Sequence, residues 1–539
     1  MSSFPFSRPA ALEELGRRRF DVLVVGAGIT GAGVALDAAA RGLSVALVDQ
    51  ADFSSGTSSR SSKLVHGGLR YLQQREFRLV YENLAERHLL LGNASHLVHP
   101  LAFLVPVLAR PGPAASGLAR AYSSALWLYD LTGGLRIGRR HRRLPPAEAL
   151  AHLPTLRPEL VSAAFVYWDA WSDDARLTLA VARTACLDFG AVAANYARVL
   201  ALAKRAGRVS GAVVDAEGAG HIEVEAEVVV NATGVWVDEL RQLDQASAVP
   251  SVRPAKGIHL TLPRDRLPAD MAAVLPVPGD RRSIFVIPWQ DQVYVGTTDT
   301  DYDGPLDEPP CRAEDVDYLL GAVNSFVTQP VSAADVVAAW AGLRPLLARD
   351  RHGRSPAART ADLSRRHQVS VAPSGLVTVT GGKLTTYRRM AADTVDRVVA
   401  LLQRGRRTCP TRHLALRGRG GPDPAVPEPP RAHLASRYGS EAAQVWALAQ
   451  DRAGGDRPLV EGLPYLAAEA VWAARHEMAL TLDDVLSRRT RALLQLREPT
   501  LAAAPRVAGL VGPELGWGPE EARRQLEALR RRHPAPARP

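Results

Sequence analysis

Asp21-Val22-Leu23-Val24-Val25-Gly26-Ala27-Gly28-Ile29-Thr30-Gly31 reads as a strand, a glycine turn and the start of a helix. Val22 to Val25 is a short, continuous apolar run of the kind buried on both faces in a parallel sheet. Gly26, Gly28 and Gly31 stand in G-x-G-x-x-G spacing. Gly26 permits the tight turn, Gly28 lets backbone approach a pyrophosphate, and Gly31 lets helix pack closely on strand. The free N–H groups at the helix start then face phosphate oxygens. An Ala-rich stretch from Val34 to Arg41 continues the helix, Gly42 caps it, and Ser44 to Val48 is a second buried strand. Asp49 closes that strand about 20 residues beyond the turn, where a carboxylate accepts from ribose hydroxyls. Strand, turn, helix, strand and acid in this order indicate a dinucleotide site, without distinguishing flavin from nicotinamide.

Outward from this unit, strands are expected at Glu225 to Val230, Ser283 to Ile287, Val293 to Gly296 and Leu376 to Thr380. Helices are expected at Phe77 to Leu91, Leu177 to Phe189 and Thr385 to Gln403. This alternation predicts an α/β core. Arg110 to Ser116 and Arg417 to Pro430, rich in Gly and Pro, read as loops. Beyond the second, Ala, Leu, Arg and Glu dominate to about His533, which predicts a separate helical domain beginning near Arg407. With 539 residues the chain exceeds one compact core, so two or three domains are expected.

Composition excludes several classes. Hydrophobic residues at 46% and charged residues at 23% are globular values, which argues against a disordered chain. Lys and Arg exceed Asp and Glu by 66 to 56, a surplus that suits anionic lipid, nucleic acid or a phosphorylated ligand as well as a solvated Arg-rich surface. No nucleic-acid motif accompanies it, and none is expected as partner. Cys186, Cys311 and Cys409 are odd in number and far apart, so neither a disulfide framework nor a metal site is expected, and a reducing, cytoplasmic setting fits. Met1 to Phe20 lacks the apolar stretch of a secretory signal, and no run of about 18 apolar residues exists to span a membrane. Peripheral attachment to the inner face of the cell membrane stays open, as does a homodimer.

Past Asp49 the chain continues Phe53-Ser54-Ser55-Gly56-Thr57-Ser58-Ser59-Arg60-Ser61-Ser62-Lys63-Leu64-Val65-His66-Gly67-Gly68-Leu69-Arg70-Tyr71-Leu72. Further blocks are Trp171-Ser172-Asp173-Asp174-Ala175-Arg176-Leu177, Asn231-Ala232-Thr233-Gly234, Lys256-Gly257-Ile258-His259 and Gly296-Thr297-Thr298-Asp299. Gly342-Leu343-Arg344-Pro345 and Gly381-Gly382-Lys383-Leu384-Thr385-Thr386-Tyr387-Arg388 follow, and the tail carries Ala468-Glu469-Ala470-Val471-Trp472 and Thr481-Leu482-Asp483-Asp484-Val485-Leu486. In these blocks, over nearly its full length, the chain resembles the FAD-dependent (aerobic, respiratory) glycerol-3-phosphate dehydrogenases. Asp49 stands where that family more often has Glu, and 110–158 and 352–361 match it loosely.

The resemblance implies an FAD-binding Rossmann-like fold of the D-amino-acid-oxidase type, a mixed-sheet substrate domain and a C-terminal all-helical domain. The oxidoreductase domain would span 1–406, with FAD-binding parts at about 15–110, 160–240 and 340–406 and a substrate part at about 245–340. The helical domain would span 407–539. It further implies oxidation of sn-glycerol 3-phosphate to dihydroxyacetone phosphate, with electrons passed to a quinone; an oxidase that releases peroxide is the alternative.

Chemistry can be assigned to these blocks. The hydroxyls and N–H groups of Thr57, Ser58 and Ser62 suit a loop across cofactor phosphates and ring. Gly234, at an Ala-Thr-Gly corner, and Gly382, Leu384 and Thr385, between strand and helix, are further places where backbone meets cofactor. A phosphorylated substrate needs convergent cations, for which Arg70, Arg344, Arg365 and Lys383 are candidates, with Tyr71 beside them. Removing the proton of the C2 hydroxyl as hydride leaves needs a base: His259 is the first candidate and His66 its rival, while Arg344 could stabilise the alkoxide. A relative acting on amines or amino acids would want one carboxylate-binding Arg, which the cation set disfavours. A non-catalytic FAD-binding scaffold would not need the full constellation.

Overall fold

Phe20–Val25 forms the middle of the first sheet of the computed structural model, which describes residues 3–73, 76–109, 112–280, 282–348, 366–405 and 407–535, with Arg70 and Gln73 by backbone alone. It pairs in parallel with Val45–Val48 on one side and Gly220–Asn231 on the other. Val192–Ala194 and Val377–Gly381 extend the sheet in parallel, and His367–Val371 closes one edge antiparallel. Val22, Leu23 and Val24 are fully buried, as strands covered on both faces must be. Each such side chain contributes roughly 1.5–3 kcal/mol relative to exposure.

The helices Ile29–Ala40, Asp174–Leu187 and Tyr387–Leu402 share one core with this sheet through Val34, Leu36, Leu177, Val181, Val395 and Val398. Gly33 lies where a side chain would strike the ring of Tyr387, so the first and third helices touch almost backbone to ring. The antiparallel hairpin Ala197–Arg205/Arg208–Ala216 leans on the start of Gly220–Asn231.

The second sheet is mixed and has ten strands. Its long central pair, Val98–Leu108 with Val161–Ser172, is antiparallel. Beyond it Ala272–Pro276, Ser283–Trp289 and Gln292–Gly296 lead to Val252–Pro263, which also pairs with Ala338–Leu347. From Pro430 onward every regular element described is helical, through Pro430–Tyr438, Ala442–Asp451, Ala467–His476, Arg497–Leu515 and Pro519–Arg532. Among the described residues no helix is long and apolar enough to cross a membrane.

One expected loop is corrected. Pro113 to Ser116, read as loop within Arg110 to Ser116, is the first turn of the helix Pro113–Leu131. Proline at the start of a helix removes an N–H that has no partner there anyway and presets φ, so the Pro-rich string marks an entry to helix.

Candidate functional site

The glycine turn packs as tightly as its spacing predicts. A side chain on Gly26 would meet the backbone of Ala232, and one on Gly31 would overlap the carbonyl of Gly26, so only glycine fits at either position. Gly26 also has φ +100°. Asp49 lies beneath the turn and accepts from the N–H of Ala27 (2.6 Å) and of Ala51 (3.0 Å). Burial raises its carboxyl to about 6, against the lowering effect of those two donors. Asp49 therefore orients the turn as well as facing the cleft.

That cleft has a volume of about 300 Å³. Gly26, Gly28, Asp49, Thr57, Ser58, Gly234, Gly382, Lys383 and Leu384, all expected from sequence, line it, with Gln50, Arg198 to Leu200 and Trp236 at its walls. Ser58 Oγ accepts from the N–H of Ile29 at 2.9 Å, which joins the Ser/Thr loop to the helix start. Thr57 Oγ1 donates to the carbonyl of Leu343 at 2.6 Å, which joins the same loop to the second sheet. Backbone donors, a buried carboxylate and crowded glycines fit the pyrophosphate and ribose of FAD. Thr385 is buried beside this wall, where its hydroxyl accepts from the N–H of His66 at 3.1 Å.

Beyond the loop, strand alternation assembles a second cluster. His259 pairs with Trp340 and Ala255 with Arg344 in the antiparallel ladder, so Gly257, His259, Trp340 and Arg344 point to one face. Lys256 and Ile258 point to the other, Lys256 Nζ to Asp315 at 2.5 Å and Ile258 into the core. A side chain on Gly257 would overlap the guanidinium of Arg344, and one on Gly296 would overlap the His259 ring. Arg344 donates to Thr297 Oγ1 (3.1 Å), the Thr298 carbonyl (3.1 Å) and Asp299 Oδ1 (3.3 Å).

The His259 ring stacks on Trp340 at 4.8 Å and is 2% exposed. Its Nε2 meets Ser62 Oγ at 2.8 Å, and its buried Nδ1 has no hydrogen-bond partner among the described residues. Burial, then the charges of Lys63 and Arg344, hold its pKa well below the ordinary histidine value. This environment favours the neutral ring over the imidazolium.

Lys63, with no exposure, places Nζ 3.2 Å from Asp174 Oδ1 and 5.0 Å from the centre of the Trp340 ring. Burial and the neighbouring Arg491 push its ammonium down to about 8, opposed by Asp174 and Asp173. Lys383 Nζ lies 3.7 Å over the ring of Tyr71, a cation–π contact at the cleft wall. The Gly67 N–H that precedes this segment donates to Asp169 Oδ1 (3.2 Å), and Asp169 is itself held by Arg87 and the Tyr129 hydroxyl.

Thus Ser62, His259 and Arg344 come together, and Tyr71 and Lys383 form a second pair. His66 is placed by its backbone contact to Thr385. The side chain of Arg70 and all of Arg365 lie outside the described residues. Sequence reasoning missed Lys63 and Trp340. Lys63 stood inside a quoted block, and Trp340 is two and four residues before Gly342 and Arg344, the spacing that shares a strand face.

Residues 21–388 match the FAD dependent oxidoreductase family, and residues 379–522 match the C-terminal domain of alpha-glycerophosphate oxidase. The chain is 42% identical over 528 residues to glycerol-3-phosphate dehydrogenase 2 of Mycobacterium tuberculosis (strain ATCC 25618 / H37Rv), covering 95% of this chain and 88% of that protein. It is 38% identical over 564 residues to the mitochondrial glycerol-3-phosphate dehydrogenase of Homo sapiens, covering 98% of this chain and 75% of that one. The crystal structure of glycerol-3-phosphate dehydrogenase from Bacillus halodurans complexed with FAD superposes with a TM-score of 0.78 at 31% identity, covering 97% of this chain and 96% of that chain. A dinucleotide cleft, an imidazole and a guanidinium on one strand face behind its loop and likeness over nearly the whole chain converge: the protein belongs to the FAD-dependent oxidoreductases and, among them, to the glycerol-3-phosphate dehydrogenase family.

Proposed function

We propose that the protein oxidises sn-glycerol 3-phosphate to dihydroxyacetone phosphate with bound FAD and passes the electrons to a quinone. The observation that carries this reading is the buried imidazole of His259 on the same strand face as the cationic Arg344, close enough for the guanidinium to disfavour the imidazolium. FAD, when bound, supplies the two-electron acceptor that takes hydride at N5. Gly26, Gly28, Thr57, Ser58, Gly234, Gly382 and Leu384 would hold it, with Asp49 on the ribose; Ser62 and Thr385, bonded to His259 and to the His66 N–H, are assigned to the same cofactor.

His259 takes the proton of the C2 hydroxyl, since an alkoxide donates hydride far more readily than an alcohol. Arg344 offsets the charge on that oxygen, fixed in place by Thr297, Thr298 and Asp299. Lys383, Tyr71, Arg70 and Arg365 are assigned to the substrate phosphate, and His66 is the second-ranked base. An apolar face supports membrane contact: Trp127, Leu128 and Leu131, at the end of the helix Pro113–Leu131 and on one side of it, are exposed, with Arg139, Arg140, Arg142 and Arg143 following in the chain. Apolar side chains bordered by arginines suit the surface of an anionic bilayer, where a quinone is dissolved.

The test is anaerobic addition of sn-glycerol 3-phosphate, and separately of glycerol, to the purified yellow protein, followed by a soluble quinone. Bleaching of the flavin by the phosphate ester alone, reversed by quinone, is expected. Equal bleaching by glycerol overturns the phosphate assignment. Rapid reoxidation by oxygen with stoichiometric peroxide, and none by quinone, favours the oxidase.

A further inference from the structure

Asp484–Arg489 in the C-terminal helical region is a π-helical turn, closed by the Thr490 N–H on the Val485 carbonyl at 2.9 Å. Arg491 follows in the left-handed region with φ 68°. Such turns are rare and concentrate at functional sites, and a non-glycine residue with positive φ persists only where its surroundings over-determine it.

The widened turn lets successive side chains reach one target. Arg488 Nε and Arg489 Nη1 each meet Asp52 Oδ2 at 2.7 Å, and Arg489 Nη2 meets Oδ1 at 2.9 Å. Arg491, fully buried, donates from Nη2 to the Ser59 carbonyl at 2.5 Å and to Asp174 Oδ1 at 2.9 Å. Asp174 Oδ2 accepts from the N–H and the hydroxyl of Ser61, at 2.9 and 2.7 Å, and its Oδ1 meets Lys63. One guanidinium therefore holds the stretch Ser59 to Lys63, at one end directly and at the other through Asp174.

Two functional contacts hang on that stretch. On one side Ser58 receives the Ile29 N–H of the dinucleotide turn, and on the other Ser62 meets His259 Nε2. Docking of the helical region has other anchors, in Arg176–Glu477, Arg183–Glu441 and Arg437–Asp173. Contacts made by Arg491 thus fall on the cofactor loop over and above what domain attachment needs.

We propose that Arg491 is a positioning residue of the flavin site, which it completes from the C-terminal region by fixing Ser59 to Lys63 against both the dinucleotide turn and His259. This rests on the reading that the cleft holds FAD and that His259 serves the reaction. It makes the helical region a part of cofactor retention.

The experiment compares holoenzymes carrying Arg491→Gln, Arg491→Lys and, as a control in the same region, Arg475→Gln, whose guanidinium pairs with Glu514 at the surface. FAD release after dilution is followed by recovery of flavin fluorescence, alongside visible circular dichroism of the bound flavin and the thermal midpoint. Arg491→Gln is expected to release FAD about tenfold faster, as loss of a charged hydrogen bond allows, and to change the flavin dichroism. Arg491→Lys keeps the charge without the fork and should release it roughly threefold faster. Arg475→Gln should match the parent. Parent-like release and dichroism in Arg491→Gln overturn the proposal whatever the thermal midpoint. Should that variant not fold, parent-like release in Arg491→Lys overturns it equally. A parent enzyme not bleached by sn-glycerol 3-phosphate would refute the reaction and leave the FAD-release comparison standing.

Discussion

The proton affinity of His259, the base of the proposed reaction, is set by its neighbours. Burial is the largest influence on its pKa, followed by the positive charges of Lys63 and Arg344, and all three favour the neutral ring. A cation nearby penalises the imidazolium, so removing it raises the pKa. Replacing Lys63 with Met should therefore move the acid limb of kcat/KM for sn-glycerol 3-phosphate to higher pH. Lys63→Arg should leave the limb near its original position. An acid limb unmoved in Lys63→Met, in an enzyme that still holds flavin, would show that the titrating base lies elsewhere, with His66 next in line.

At the scale of elements, the ladder between Val252–Pro263 and Ala338–Leu347 places His259 and Arg344 on one face, and small residues make room for large ones. Gly257 leaves the space that the Arg344 guanidinium fills. Gly257→Ala should push that flexible end aside and cut kcat by about a hundredfold, the loss typical of one missing oxyanion donor, while FAD stays bound. Stopped-flow reduction of the flavin would read it; an unchanged rate would remove Arg344 from alkoxide stabilisation. The dinucleotide turn, its two strands and its helix were legible in the sequence because each glycine and the closing acid answer a local requirement. Pro113 to Ser116 misled because proline serves both loops and helix starts. Lys63 and Trp340 were hidden for another reason. Their meaning comes from pairing strands and loops far apart in sequence, and a Lys among Ser residues looks the same from the sequence whether it is solvated or buried. The π-turn was hidden as well, since nothing in Asp483 to Arg491 distinguishes a widened turn from an ordinary charged helix.

At the scale of the molecule, the sheet that carries the dinucleotide turn, the second, mixed sheet and a helical region meet at the loop Ser54 to Ser62, which touches all three. The exposed leucines of Pro113–Leu131 and the arginines that follow lie on the chain segment between the two strands of the long central pair. Changing Leu128 and Leu131 to Glu should reduce co-sedimentation with phosphatidylglycerol vesicles about tenfold or more, while activity with a soluble quinone is kept. Phosphatidylcholine vesicles should bind the parent protein weakly. Equal sedimentation of parent and variant would place membrane contact, if any, on another surface.

A β-strand has only two sides, and this confers a fragility on Val252–Pro263 that its helical neighbours escape. One extra residue inserted before His259 would turn the imidazole inward, to the place now filled by Ile258 and Leu260, and present an aliphatic chain to the alcohol instead. The same insertion beside Gly279, in a turn with open space around it, would be absorbed without disturbing the frame. Length changes among descendants of this chain should thus collect in its turns, while the strand that carries His259 keeps its residue count.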